Sequence, residues 1–177
     1  MHPRFQEITA EIARIRADLA GAIESAPEEL LSRDPGNGQW SGTRIIEHLG
    51  KTEGSTAKML EGLFAKALAD GLPLDGETAS LLHSLDHLHV IDRSHRVEAP
   101  ERLVPAAEAN LADAWASLQK VRLRPLAAAA TVDGRDISRI SWPHPIFGPI
   151  NGYQWVLFIG QHEERHLVQL REVLRTA

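Results

Sequence analysis

The chain has 177 residues, 43% of them hydrophobic and 24% charged, with 19 basic against 24 acidic side chains, nine histidines and no cysteine. A domain of about 150 residues already buries roughly 70% of its unfolded surface, so folding requires no structural metal, and the missing thiol excludes disulfide frameworks, thiolate nucleophiles, zinc fingers and iron–sulfur ligation. A net charge of −5 without a local Lys/Arg cluster excludes a surface that tracks nucleic-acid phosphates.

In chain order, Ile8, Ile12, Ile15, Leu19 and Ile23 recur at helical steps and form one apolar stripe, which Pro27 ends. Glu7, Glu11 and Asp18 interrupt that pattern, so it does not read as a signal peptide. Asp34-Pro35-Gly36-Asn37-Gly38 is turn chemistry. Ser41 is placed to cap a second helix that carries Ile45, His48, Leu49, Thr52, Met59 and Leu63 and runs to Asp70 and Gly71. Between Leu72 and Pro105 four prolines and glycines interrupt the pattern, and a short helix is expected at Thr78 to Val90. Ala107, Leu111, Ala114, Trp115, Leu118 and Val121 mark a further helix, which Pro125 is expected to end. Thr131 to Ile150 reads as irregular or briefly extended, and the prolines at 143, 145 and 149 exclude a helix or a central strand. A last helix covers Asn151 to Arg175. No apolar run reaches the roughly 20 residues of a membrane span, which leaves a cytoplasmic protein as the expectation. Four long helical patterns predict an all-α bundle forming one domain over residues 1–177, with long connections that permit parallel neighbours.

The strongest chemical signal is His162-Glu163-Glu164-Arg165-His166, because two histidines four apart on a helix can reach one ion. Trp155, Ile159, Gln169 and Val173 share their stripe, so the pair faces the core. Two histidines satisfied by hydrogen bonds at the core edge would show the same spacing. The five residues also match the zinc-protease pattern H-E-x-x-H, but Gln169 and Glu172 stand where its extended form needs Gly and His. Glu172 lies about 240° around the helix from His166 and cannot share its ion. A third ligand from another helix fits better, and His48 lies on the inward stripe of the second helix. Three imidazoles leave a coordination position open, as in catalytic sites. They suit zinc, nickel, iron or copper, with zinc or nickel the leading expectation and iron next. Glu163, about 80° from the centre of the histidine face, is placed to orient a ligand or handle a proton. His83 and His87, with Asp86 and His89 nearby, repeat the four-residue spacing in a short polar segment and read as solvated. His2, His95 and His144 have no spacing partner.

Trp40-Ser41 followed by His48, the run Trp142-Pro143-His144-Pro145-Ile146-Phe147-Gly148-Pro149-Ile150-Asn151-Gly152-Tyr153-Gln154-Trp155, and then His162 and His166 resemble the DinB-like superfamily over nearly the whole chain. The resemblance implies a four-helix bundle of up-up-down-down type in which His48, His162 and His166 bind a divalent metal. It also implies relatives that are metal-dependent thiol transferases, including bacillithiol transferases and a mycothiol-dependent maleylpyruvate isomerase. In these the metal holds a thiol cofactor as thiolate.

The expectation is therefore a metal-dependent enzyme acting on a small-molecule substrate, with an ion that activates either a low-molecular-weight thiol (S-transferase chemistry) or water (hydrolase chemistry). Trp142, Phe147 and Trp155 would wall the pocket, or else pack the loop onto the bundle. The competing reading is a non-catalytic bundle that senses or stores metal, or a dimeric structural or stress-response bundle whose histidines are remnants or structural ligands, since spacing fixes no acid/base residue. A homodimer is expected in either case, because bundles commonly bury an apolar helix face that way.

Overall fold

The computed structural model describes residues 1–36, 38–94 and 97–176. Asn37, in the expected turn, and His95 lie outside the described residues. Helix α1 (Pro3–Glu24) starts with Pro at its first position and buries Ile8, Ile12, Ile15, Leu19 and Ile23, as the stripe predicts. A short helix α2 (Glu28–Ser32) buries Leu31. Helix α3 (Gly42–Ala69) begins where the Ser41 side chain accepts the Arg44 N–H at 3.3 Å. It ends before Gly71, whose φ of +87° suits a residue without Cβ.

Pro125 does not end the next helix. After α4 (Leu111–Val121) the chain breaks at Arg122 and resumes at once as α5 (Leu123–Thr131). The proline sits in the first turn of α5, where a missing N–H costs nothing. Its ring excludes a regular bond to the carbonyl four residues back, and the break falls there. The α4 helix also begins later than expected, at Leu111, where Asn110 accepts the Asp113 N–H at 3.0 Å. Strands β1 (Ser141–His144) and β2 (Gly148–Asn151) form an antiparallel hairpin that leads directly into α6 (Gly152–Thr176). Pro143 pairs with Pro149, so both prolines occupy a register position that exchanges no backbone hydrogen bond.

The expected helix at Thr78 to Val90 is absent; the segment holds turns and one 3-10 turn at Asp86–Leu88. Its polar groups are claimed by α1 instead. The Glu7 carboxylate accepts the Ser80 hydroxyl at 2.7 Å and the Leu81 N–H at 3.1 Å. Upstream, Asp75 accepts from Arg4 and from the Tyr153 hydroxyl. Local helix formation loses to this tertiary anchoring, which ties the long connection to α1 and α6.

Four columns, α1, α3, α4–α5 and α6, make a four-helix bundle. Phe5 meets Tyr153, Gly160 faces Ile12 and Ile15, and Arg16 meets Glu163, so α1 and α6 run parallel. Gly42 lies against Leu170 while His48 meets His162 and His166, so α3 runs against α6. Gly50 faces Leu118, Gly54 faces Val121 and Glu61 binds Arg124, so α4–α5 runs with α3. The resemblance implies the directions up, up, down, down in chain order, and the structure differs. Along the chain they read up, down, down, up, because the long connection before α4 crosses the bundle and the connection before α6 reverses direction. Among the described residues, no helix is long and apolar enough to cross a membrane.

Among the described residues the core is divided into two clusters. One gathers Ile8, Ile12, Phe64, Val156 and Phe158, the other Leu19, Ile46, Leu118, Leu167 and Leu170. Between them on α1, α3 and α6 stand Arg16, His48, Glu53, His162, Glu163 and His166, a polar layer across the middle of the bundle.

The entry of α6 is packed without slack. A Cβ on Gly152 would lie 2.8 Å from the Ile137 carbonyl oxygen and 2.9 Å from its Cβ. Gly152→Ala should therefore destabilise the protein by about 1–3 kcal/mol, the usual cost of overpacking. Urea unfolding checks this, and an unchanged midpoint would refute the tight contact.

Candidate metal centre and its cavity

His162 and His166 stand one turn apart on α6, and the antiparallel α3 delivers His48 beside them. The ring centroids lie 5.5 Å apart for His48 and His162, 4.8 Å for His48 and His166, and 4.6 Å for His162 and His166. One ligand atom from each falls within 4.8 Å of the other two, and among the described residues no other group of three histidines or carboxylates converges in this way. His48 and His166 are 4% and 7% exposed, and Trp40 packs on the His48 ring at 4.8 Å.

Hydrogen bonds orient two of the rings. His48 Nδ1 donates to the Leu103 carbonyl at 2.8 Å, and His166 Nδ1 donates to Gln169 Oε1 at 2.8 Å. In a neutral imidazole that leaves the lone pair on Nε2. Burial holds all three rings below the ordinary imidazole range. For His48 the bond to Leu103 opposes it; for His162 the neighbouring His166 and His48 add to it; His166 is brought to about 3 by burial and by His48. Three neutral imidazoles at neutral pH are a donor set that could hold a divalent metal ion.

The triad lines a cavity of about 820 Å³. Trp142, Phe147 and Trp155 line it as well, and Trp155 Nε1 donates to the Trp142 carbonyl at 3.0 Å, so these residues both face the cavity and fasten the hairpin. His144 lies in the same wall, stacked on Phe147 at 4.8 Å and against Phe158 at 4.7 Å. Burial holds it neutral by lowering its pKa to about 4. Spacing gave it no partner because its neighbours come from another element.

Glu163 does not serve the histidines. It is 1% exposed, and its carboxylate accepts from Arg16 at 2.9 and 2.7 Å and from Arg122. Glu53 binds the same two arginines, with Arg16 Nη2 and Arg122 Nη2 each at 3.1 Å. The orienting part expected of Glu163 falls instead to the Leu103 carbonyl and Gln169. Gln169 was within reach of sequence reasoning as the i+3 neighbour of His166; Leu103, 55 residues from His48, was not. His83 is exposed and paired with Asp86 at 2.9 Å, and His2 stands 4.0 Å from Asp75. Neither joins the triad.

Residues 11–170 match the family model of the DinB superfamily. The chain belongs to the DinB superfamily. Among individual relatives, it is 29% identical over 159 residues to the uncharacterized protein YuaE of Bacillus subtilis (strain 168), covering 89% of this chain and 91% of that one. Among solved structures, it is similar to TT2238, a four-helix bundle protein, with a TM-score of 0.64 at 22% identity over 95% of this chain and 98% of the other. This second likeness speaks for the bundle fold alone. The superfamily match encloses all three triad histidines.

Proposed function

We propose that this DinB-superfamily protein is a metal-dependent enzyme in which His48, His162 and His166 hold a divalent cation, zinc or nickel before iron, at the wall of a substrate cavity. The observation that carries the reading is the convergence of three neutral imidazoles on a cavity of about 820 Å³, a volume suited to a small molecule. When bound, such a cation lowers the pKa of a low-molecular-weight thiol or of water and so supplies a nucleophile at neutral pH. The protein's own part is to keep the imidazoles unprotonated by burial, to turn His48 and His166 through Leu103 and Gln169, and to receive an apolar electrophile between Trp142, Phe147, Trp155 and Phe158. The chain has no cysteine, so a thiol nucleophile would come from outside. The acidic composition favours a small-molecule substrate over nucleic acid, and we place the activity in the cytoplasm, in a homodimer.

The test is turnover of small electrophiles by metal-loaded protein. Thiol consumption with several cellular thiols reports transferase chemistry, and ester or amide cleavage reports hydrolase chemistry. Activity that vanishes in His162→Ala supports the reading; activity that persists unchanged there overturns it. Gln169→Leu keeps the ligands but removes the acceptor behind His166. It should weaken metal binding about 10–100-fold, read by competition with a chromogenic chelator, and an unchanged affinity would remove Gln169 from the site.

A further inference from the structure

The turn of the hairpin folds back on His144. The backbone N–H groups of Ile146 and Phe147 both donate to its Nδ1, at 3.2 and 3.3 Å. Two donors need a lone pair on Nδ1, so the neutral ring carries its proton on Nε2. Phe147, Phe158 and Trp155, with centroids 4.8, 4.7 and 5.3 Å away, hold the ring in place. Nε2 meets no hydrogen-bond acceptor among the described residues, and it is not among the fully buried polar atoms left without a partner. His144 itself lines the cavity. A fixed N–H donor held among aromatic walls beside a cavity is left for what the cavity holds to satisfy.

We propose that His144 is a ligand-binding residue, a fixed Nε2–H donor for an acceptor oxygen, carbonyl or carboxylate, on a largely apolar small molecule bound beside the histidine triad. The inference rests on the cavity being the substrate site, as in the reading above. It does not need the metal. It deepens that reading by naming the chemistry that selects the substrate: an apolar body matched to the aromatic walls, and one oxygen placed for His144.

Nitrogen-15 spectra of the histidine rings in the full, labelled chain test it directly. The His144 ring should show Nε2 protonated and Nδ1 bare, and acetophenone should shift the Nε2 resonance where ethylbenzene, of nearly the same shape but without oxygen, does not. His144→Phe should weaken acetophenone binding about tenfold, the worth of one hydrogen bond, and leave ethylbenzene within about twofold. His144→Gln, which can accept the backbone N–H groups and still donate, should recover most of the loss. A proton on Nδ1 overturns the proposal. So does an Nε2 resonance that neither acetophenone nor benzoate moves, or an equal loss of both hydrocarbon and ketone in His144→Phe. The same titration in His48→Ala separates the two readings. A His144 response that survives in His48→Ala leaves this inference standing without the ion, and the metal reading falls separately if the wild-type protein takes up no metal; full metal content in wild type with an unresponsive His144 overturns this inference alone.

Discussion

His166→Ala is expected to take the protein, purified without an affinity tag, from one equivalent of divalent metal per chain to almost none. His166 closes the triad. Its centroid is 4.6 Å from His162 and 4.8 Å from His48, so its removal leaves two imidazoles. Losing a residue that merely orients a ligand costs about 10–100-fold in affinity, and losing the ligand itself should cost at least about 100-fold. The ring lies at a cavity wall and Gln169 can turn to water, so the fold should survive, which circular dichroism will confirm. Elemental analysis of wild type, His166→Ala and the exposed His83→Ala decides the matter. Metal lost only from the first variant supports the site, and equal metal in all three removes it.

Arg122→Met should be the most destabilising single change. Arg122 and Arg16 lie between two buried carboxylates, Glu53 and Glu163, and without Arg122 two negative charges share one arginine inside the bundle. Breaking a buried ion pair from one side costs about 3–5 kcal/mol, because the partner stays buried and uncompensated. For a chain of this size that lowers Tm by roughly 6–20 °C. The deficit should depend on pH. Burial already pushes the Glu53 carboxyl above its ordinary range, against the pull of Arg122 and Arg16, and the variant raises it further. A carboxyl whose folded pKa is raised binds more protons folded than unfolded, so its stabilising protonation is complete below the unfolded value of 4.5 and is lost as pH rises through the folded value. The difference between variant and wild type should therefore shrink as pH falls from neutral toward 4.5. Adding Glu53→Gln should restore part of the loss by removing one of the two charges. Arg14, whose partners Glu11 and Asp18 are solvated, should give no measurable change when mutated. An Arg122→Met melt indistinguishable from wild type would show that the network contributes nothing.

The network also explains what sequence reasoning reached and what it did not. The position of Glu163, about 80° from the histidine face of its helix, predicts a part in orienting a ligand or moving a proton and says nothing of its partners. Its carboxylate is matched by arginines 147 and 41 positions away, a separation that leaves no periodic trace. Arg16 did carry a faint signal: it follows Ile12 by four and precedes Leu19 by three, at the border of the apolar stripe. The missed Thr78 to Val90 segment has the same cause, since Glu7 and Asp75 hold that stretch from outside it.

By itself, the sequence determined the helical stripes, the Ser41 cap, the proline-bearing turn before the last helix and the His162/His166 pair. Each depends on neighbours within a few residues, where helix geometry sets what can meet. Only the tertiary structure decided the directions of the helices, the two-cluster core with its polar layer, the carbonyl of Leu103 behind His48, and the tautomer and outlook of His144. These depend on where a crossing connection sets one element against another. His48 stands between the two cases. Its inward position is a property of its own helix, but its distance from His166 is a property of the bundle.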